Sequence, residues 1–157
     1  DLKQIGSFKI FKRGVSSPQF EVVKKGNTWM SAEGKNLDST RLEDMLDEFI
    51  KLKSSHVLEE LSGQQKKATQ KLLSPPDFVV KIETLDGEQK EEFIYQVSAL
   101  TKSLPDVDLK DEAHFLISEN HAPIVYVIKK EALALFDLKN DALNPLESLA
   151  APSTPAN

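Results

Sequence analysis

The fold is decided by residues 20–57, which read FEVVKKGNTWMSAEGKNLDSTRLEDMLDEFIKLKSSHV. The first five, 20–24, have the character of a strand, and Gly26-Asn27 then supplies a tight reversal compatible with positive φ. Trp29 lies in the short strand that follows, just before a long amphipathic helix. We interpret this tryptophan as a core residue at the join of sheet and helix, because that position is more often buried than used as a binding anchor.

The start of the helix has three candidate N-caps, Asp38, Ser39 and Thr40, and Thr40 with Glu43 has the spacing of a capping box. Apolar residues then recur at helical spacing, with charged residues on the opposite side. These apolar positions are Leu42, Met45, Leu46, Phe49 and Ile50.

The end of the helix is expected between Lys53 and Leu58. His56 would then lie at the helix C-terminus, where a positive charge suits the helix dipole. A second, short helix is predicted from about Gln64 to Leu72, ended by the prolines at 75–76, since the residue before a proline is pushed out of the helical region.

Strand patterns flank the helices on both sides. Residues 7–13 alternate as a strand, which with the next two gives an antiparallel meander with one wet face. Beyond the second helix, strands around Val80 and Tyr95 flank an Asp86-Gly87 hairpin turn. Residues 115–117 and 124–128 are expected to pair, and 132–138 to form a closing helix. The sequence therefore predicts an α+β fold, a mostly antiparallel sheet in the order βββα(α)-ββ-ββα, with the long amphipathic helix packed on it.

Length and composition fit one globular domain. The chain has 157 residues, of which 39% are hydrophobic and 29% charged. We expect a single α+β domain over 1–143, with two similar sublobes, 1–74 and 75–143, as the alternative, and a disordered tail or linker over 144–157. The chain opens at Asp1 rather than Met, so a signal peptide or anchor helix could precede it.

Charge and cysteine content exclude several classes of function. A net charge of −5 argues against a nucleic-acid binder, which normally carries a basic face. The chain has no cysteine, which removes disulfides, thiol catalysis and thiolate metal sites. No phosphate-binding glycine loop, nucleophile elbow or dinucleotide fingerprint occurs, so we expect neither an enzyme nor a cofactor.

The candidate binding residues lie in the second half of the chain, near residues 98–121. They are the acidic loop residues Asp106, Asp108, Asp111 and Glu112 and the histidines His114 and His121.

A metal site is not expected among these residues. The acidic loop fails the EF-hand pattern, because the twelfth position counted from Asp106 is Ile117 rather than a glutamate. His114, Glu119 and His121 lie close in sequence but lack a fourth ligand. We interpret these histidines as surface residues near a turn.

Several of these segments resemble a bacterial domain of unknown function found beside, or fused to, auxiliary subunits of gliding-motility-type ABC transport systems. The resemblance rests on strand 20–24 with its glycine turn and tryptophan, the helical stretch 38–57, the passage 72–87 and the strand Val125-Tyr126-Val127. It covers about residues 8–143. The chain departs from that family at Val97-Ser98, where the family often carries Ile-Gly.

The resemblance implies a membrane-tethered extracytoplasmic module without known catalysis, and it transfers no catalytic residue. We therefore expect a noncatalytic, periplasmic interaction module of a bacterial envelope system, held to the inner membrane through a segment outside this chain and binding protein partners. A cytoplasmic location is the alternative. A small-ligand or glycan-binding domain, and an enzyme built from dispersed residues, are the competing functions.

Overall fold

The computed structural model describes residues 2–86, 89–100, 104–109, 114–119 and 124–129. The strands are β1 (Ile5–Lys12), β2 (Phe20–Lys25), β3 (Thr28–Ser31), β4 (His56–Leu58), β5 (Phe78–Asp86), β6 (Gln89–Leu100), β7 (His114–Glu119) and β8 (Val125–Lys129). The helices are α1 (Ser39–Ile50) and α2 (Gly63–Leu73), and a single 3-10 turn covers Leu2–Gln4.

All eight strands form one sheet in the order β3-β2-β1-β5-β6-β7-β8-β4. Every neighbouring pair is antiparallel. The predicted α+β class with a mainly antiparallel sheet is confirmed. The element order differs from the prediction by β4, which lies between the two helices in sequence and at the edge of the sheet in space.

The first three strands form the predicted meander. Lys25 pairs with Thr28, so the β2–β3 loop has the two residues Gly26 and Asn27, and Gly26 takes a φ of 60°. A glycine at the first position of a two-residue hairpin loop supplies this positive φ without steric cost. Trp29 is fully buried, as predicted, and its Nε1–H donates to Glu43 Oε1 at 3.4 Å.

Two clusters of buried side chains lie on opposite faces of the sheet. The α1 face bears residues such as Phe8, Ile10 and Val80, and helix α1 packs on it. The α2 face bears Leu116 and Val127 on the later strands, and helix α2 and the segment 104–109 pack there. Because strand residues alternate between faces, the register assigns each strand residue to the α1 face or to the α2 face.

Helix α1 begins after one of the three predicted N-caps and ends earlier than predicted. Asp38 is the N-cap, and its carboxylate accepts from the backbone N–H of Arg41. The last helical residue is Ile50, with Lys51 as C-cap, so the expected end between Lys53 and Leu58 is wrong. Four residues separate the helix from residues 55–58, which pair with β8.

That pairing also corrects the place of His56. The backbone N–H of Ser55 donates to the carbonyl of Val127 at 2.7 Å, and His56 pairs with Val127 in the ladder. His56 therefore lies in strand β4 and not at a helix C-terminus. Sequence periodicity missed this three-residue strand because so short a segment has no period of its own.

Helix α2 agrees with its predicted bounds to within one residue. Its N-cap is Ser62, which forms a capping box with Gln65. Ser74 is the C-cap, directly before the prolines that were expected to end the helix.

The second half of the sheet has the predicted pairings. β5 and β6 form a long hairpin from Phe78↔Val97 to Asp86↔Gln89, and β7 pairs with β8. The strands of 1–74 and of 75–143 pair at two places, β1 with β5 and β4 with β8. The predicted closing helix at 132–138 and the tail at 144–157 lie outside the described residues.

Candidate functional site

The α1 face is wider than the helix that packs on it. Eight strands spaced about 4.8 Å apart make a sheet roughly 34 Å across. One helix covers a strip about 10–12 Å wide, and twelve residues extend about 18 Å. Because α1 ends at Ile50, a groove is left between its C-terminal end and strands β5 to β8.

This groove has a volume of about 340 Å³. Its floor is apolar, since Ile82, Ile117 and Ile128 each expose 6% or less of their surface. The described residues that line the groove are Phe49, Ile50, Leu52, Ser54, Ile82, Tyr95, Ile117, Glu119, Tyr126 and Ile128. We call it the α1-face groove.

Three side chains give the groove its polar character. Tyr95 on β6 pairs directly with Glu119 on β7, and Tyr126 on β8 pairs with Ile117, so both phenols and the carboxylate share the α1 face. Burial raises the pKa of the Tyr95 phenol, and the charge of Glu119 and the nearby Tyr126 raise it further. Tyr95 is therefore a neutral phenol at physiological pH.

The rim of the groove is partly apolar. Ile50 at the end of α1 is 45% exposed, and Val57 on β4 is 46% exposed. Val57 pairs with Tyr126 and so lies on the same face. Two of the four most exposed large apolar side chains in the described chain thus flank one groove; the other two are Val15 and Leu85.

A second depression, of about 430 Å³, lies on the α2 face. Polar side chains make up much of its lining, among them Lys66, Gln70, Gln96 and Ser118. Its apolar members, such as Leu73 and Val125, belong to the core beneath α2. It offers fewer exposed apolar contacts than the α1-face groove.

Of the six predicted binding residues, the three that the structure describes, Asp106, Asp108 and His114, do not line the α1-face groove. Asp106 and Asp108 are exposed in the segment 104–109. Asp111, Glu112 and His121 lie outside the described residues. His114 is only 5% exposed in β7, so the interpretation of His114 as a surface histidine is wrong. The assignment of these residues to binding stays a prediction.

The neighbours His114 and Glu119 face opposite sides of the sheet. His114 pairs with Leu100 and Glu119 with Tyr95, and five residues along a strand reverse the face. These two side chains therefore do not converge on one metal ion. In the described part of the chain, no group of three or more His, Asp or Glu residues is arranged to hold a metal.

Sequence reasoning missed Tyr95, Tyr126 and Glu119 as a group. The sequence pattern assigns both tyrosines to strands and places Glu119 only near the histidines His114 and His121. The signal that joins them is the register of β6, β7 and β8, which needs the long-range pairing as well as the alternation.

Neither described helix has the length and apolar composition that a bilayer crossing requires. Comparison with known proteins found no matching family model, no matching curated protein and no matching solved structure.

Proposed function

We propose that this chain is a noncatalytic protein-interaction module of a bacterial envelope or transport-associated system, and that the α1-face groove binds its partner. The observation that carries the proposal is an apolar groove lined by the exposed Ile50, with the exposed Val57 paired to its lining residue Tyr126 on the same face. A single exposed apolar residue is ordinary, but apolar side chains grouped beside a groove are typical of interaction sites.

The composition of the groove favours binding over catalysis. Acid–base catalysis usually needs two titratable groups held against the same reacting atoms. Among the described lining residues, Glu119 is the only carboxylate, and Tyr95 and Tyr126 are phenols. A raised pKa keeps the phenol of Tyr95 protonated, so it serves as a hydrogen-bonding group.

Site-specific photocrosslinking tests this proposal in cells. Benzoylphenylalanine at position 50 should crosslink to a discrete partner protein. The same probe at Val15, which is 48% exposed and does not line the groove, serves as the matched control. Equal crosslinking from both positions, or none from position 50, would count against the groove as the binding surface.

The extracytoplasmic location and the inner-membrane tether belong to the same proposal and rest on the family resemblance. Protease treatment of spheroplasts tests them. Digestion of the protein in intact spheroplasts supports a periplasmic domain, whereas protection until lysis favours the cytoplasmic alternative. Release without detergent would contradict the tether.

A small-ligand or glycan-binding function is the second candidate. A groove of about 340 Å³ falls within the range of small-molecule sites, about 300–1,000 Å³. A ligand at 100 times its dissociation constant adds about 2.7 kcal/mol to the free energy of unfolding. A thermal-shift screen with mono- and oligosaccharides would detect this, and Tyr126→Ala should abolish the shift if the ligand occupies the groove.

A further inference from the structure

Given the proposed function, we infer that the α1-face groove takes a cationic amphipathic segment of a partner protein, with one Lys or Arg flanked by apolar residues. The inference names the chemistry of the partner at that same site. It rests on the distribution of charge, aromatic surface and apolar surface around the groove.

The carboxylate of Glu119 supplies the negative charge. Glu119 is half-buried at the end of β7 and lines the groove. Within the described chain no Lys or Arg forms an ion pair with it, and no cationic residue is among the described lining residues. A half-buried carboxylate with no cationic partner among the described residues favours a cation from outside, because partial burial weakens screening by water.

The end of helix α1 adds to this negative potential. Ile50 and Leu52 line the groove on either side of the C-cap residue Lys51. The C-terminus of a helix carries a partial charge of about −0.5. The ammonium of Lys51 pairs with Asp47, one turn back along the helix, and Lys51 is not among the residues that line the groove.

The two tyrosines offer a surface on which a cation can lie. Lys and Arg side chains bind over aromatic rings within about 6 Å of the centroid. This protein already uses that contact, with Lys24 over the Trp29 ring at 5.4 Å and Lys81 over the Phe11 ring at 5.7 Å. Tyr95 and Tyr126 line the groove together with Glu119.

Apolar side chains lie on both sides of Glu119 and the two tyrosines, where they can contact the apolar residues that flank the Lys or Arg of the partner segment. Ile50 and Leu52 lie on the helix side, and Val57 lies beside Tyr126 on the sheet side. An anionic segment would instead meet Glu119 and the helix C-terminus, and the chain's net charge of −5 would further oppose its approach.

The test uses three labelled peptides, SGLLKLLGS, SGLLQLLGS and SGLLELLGS, that differ only in the central residue. Binding to the whole chain is followed by fluorescence anisotropy. We expect the Lys peptide to bind about tenfold more tightly than the Glu peptide, because only the lysine can form a charge-assisted contact with Glu119. Its advantage should shrink when salt is raised from about 0.05 M to 0.5 M.

Two matched variants locate the effect. Glu119→Gln should remove most of the preference for Lys over Glu. Glu92→Gln should leave the preference unchanged, because Glu92 on β6 pairs with Glu83 and therefore lies on the α2 face, near Lys81. Equal effects of the two substitutions would overturn the inference.

Other outcomes separate the inference from the proposed function. If all three peptides bind equally, or none binds at about 1 mM, the inference is wrong. The proposed function is tested separately, by crosslinking from position 50. A peptide of residues 130–139 (KEALALFDLK) tests whether the groove binds the chain's own segment. That would be the case if this peptide displaces the Lys peptide and if Glu119→Gln does not change the affinity of the 130–139 peptide. A dimer by sedimentation that is broken by Val57→Lys would assign the groove to a second copy. Either result overturns the inference.

Discussion

The ring of Phe49 meets the ring of Tyr95 edge-on, with centroids 6.1 Å apart and an interplanar angle of 76°. On its other side Phe49 makes a second edge contact with Phe8, at 5.3 Å and 78°. The last buried residue of α1 therefore holds the helix end to both β1 and β6, and it also forms a wall of the α1-face groove. The stability of the fold and the shape of the groove depend on the same side chain.

Phe49→Ala should lower the free energy of unfolding by about 3–5 kcal/mol, because it opens a cavity and removes both aromatic contacts. The next residue, Ile50, is 45% exposed, so Ile50→Ala should lower the free energy of unfolding by less than about 1 kcal/mol. Urea unfolding followed by fluorescence of Trp29, the only tryptophan, measures both. Similar losses for the two variants would contradict the anchoring role of Phe49.

The raised pKa of Tyr95 predicts a loss of stability at alkaline pH. Above its ordinary value of 10.0, the unfolded chain releases the phenol proton while the folded chain still holds it. The free energy of unfolding is therefore unaffected by this group below that pH, and falls as the pH rises through the folded-state pKa. Tyr95→Phe should remove this part of the alkaline loss in urea titrations between about pH 9 and pH 11.5.

The nearby charge of Glu119 should also affect the pKa of the Tyr95 phenol. Glu119→Gln is expected to lower the pKa of Tyr95 toward 10.0 without restoring it fully, since burial is the larger cause. Absorbance at 295 nm, with Tyr95→Phe as the reference spectrum, follows the phenol. An identical change in Glu92→Gln would show that the effect is not specific to the groove.

Gln65 ties helix α2 to a loop forty residues away. Its Nε2 donates to the carbonyl of Pro105 at 2.9 Å, while its Oε1 accepts from the backbone N–H of Ser62 at 2.9 Å. Gln65→Glu keeps the acceptor of the capping box but loses the donor to the Pro105 carbonyl. It should therefore lower the free energy of unfolding by about 1–3 kcal/mol. The exposed neighbour Gln64 is the control, and Gln64→Glu should be neutral or slightly stabilising near the helix N-terminus. Urea unfolding measures the stability of both variants, and equal changes in the free energy of unfolding would contradict the role of the Gln65 donor.

Asp77 joins the ends of three strands. One carboxylate oxygen pairs with Arg13 Nη2 at 3.0 Å, and the other accepts from the backbone N–H of Ala99 at 2.8 Å. Asp77→Ala should lower the free energy of unfolding by about 1–2 kcal/mol, chiefly because the Ala99 N–H loses its partner. Arg13 is half exposed, so the ion pair itself adds little.

The control for Asp77 is Glu33→Ala, which breaks the exposed pair with Lys35 and should change stability by less than about 0.5 kcal/mol. Thermal unfolding at low and high salt separates the two contributions. If high salt alone reproduced the loss in Asp77→Ala, the ion pair would be the dominant interaction.

The sequence by itself determined the local elements. Alternation of apolar and polar residues placed β1, β2, β5 and β6, because a half-buried strand must present one face to the core. The Gly26 turn followed from the need for positive φ, whereas the unpaired N–H groups at a helix start limited the cap to Asp38, Ser39 or Thr40, and the structure selected Asp38. The burial of Trp29 also followed, since it lies where the sheet meets its covering helix.

The tertiary structure alone decided where α1 ends and which strands lie side by side. The periodicity after Ile50 is compatible with a longer helix, but residues 55–58 form long-range hydrogen bonds with β8 that outweigh local propensity. The same pairing created the groove, because the shortened helix leaves part of the sheet uncovered by α1 and the register brings Tyr95, Glu119 and Tyr126 to one face. Periodicity gives each strand two faces, but only the pairing of distant strands determines which side chains meet.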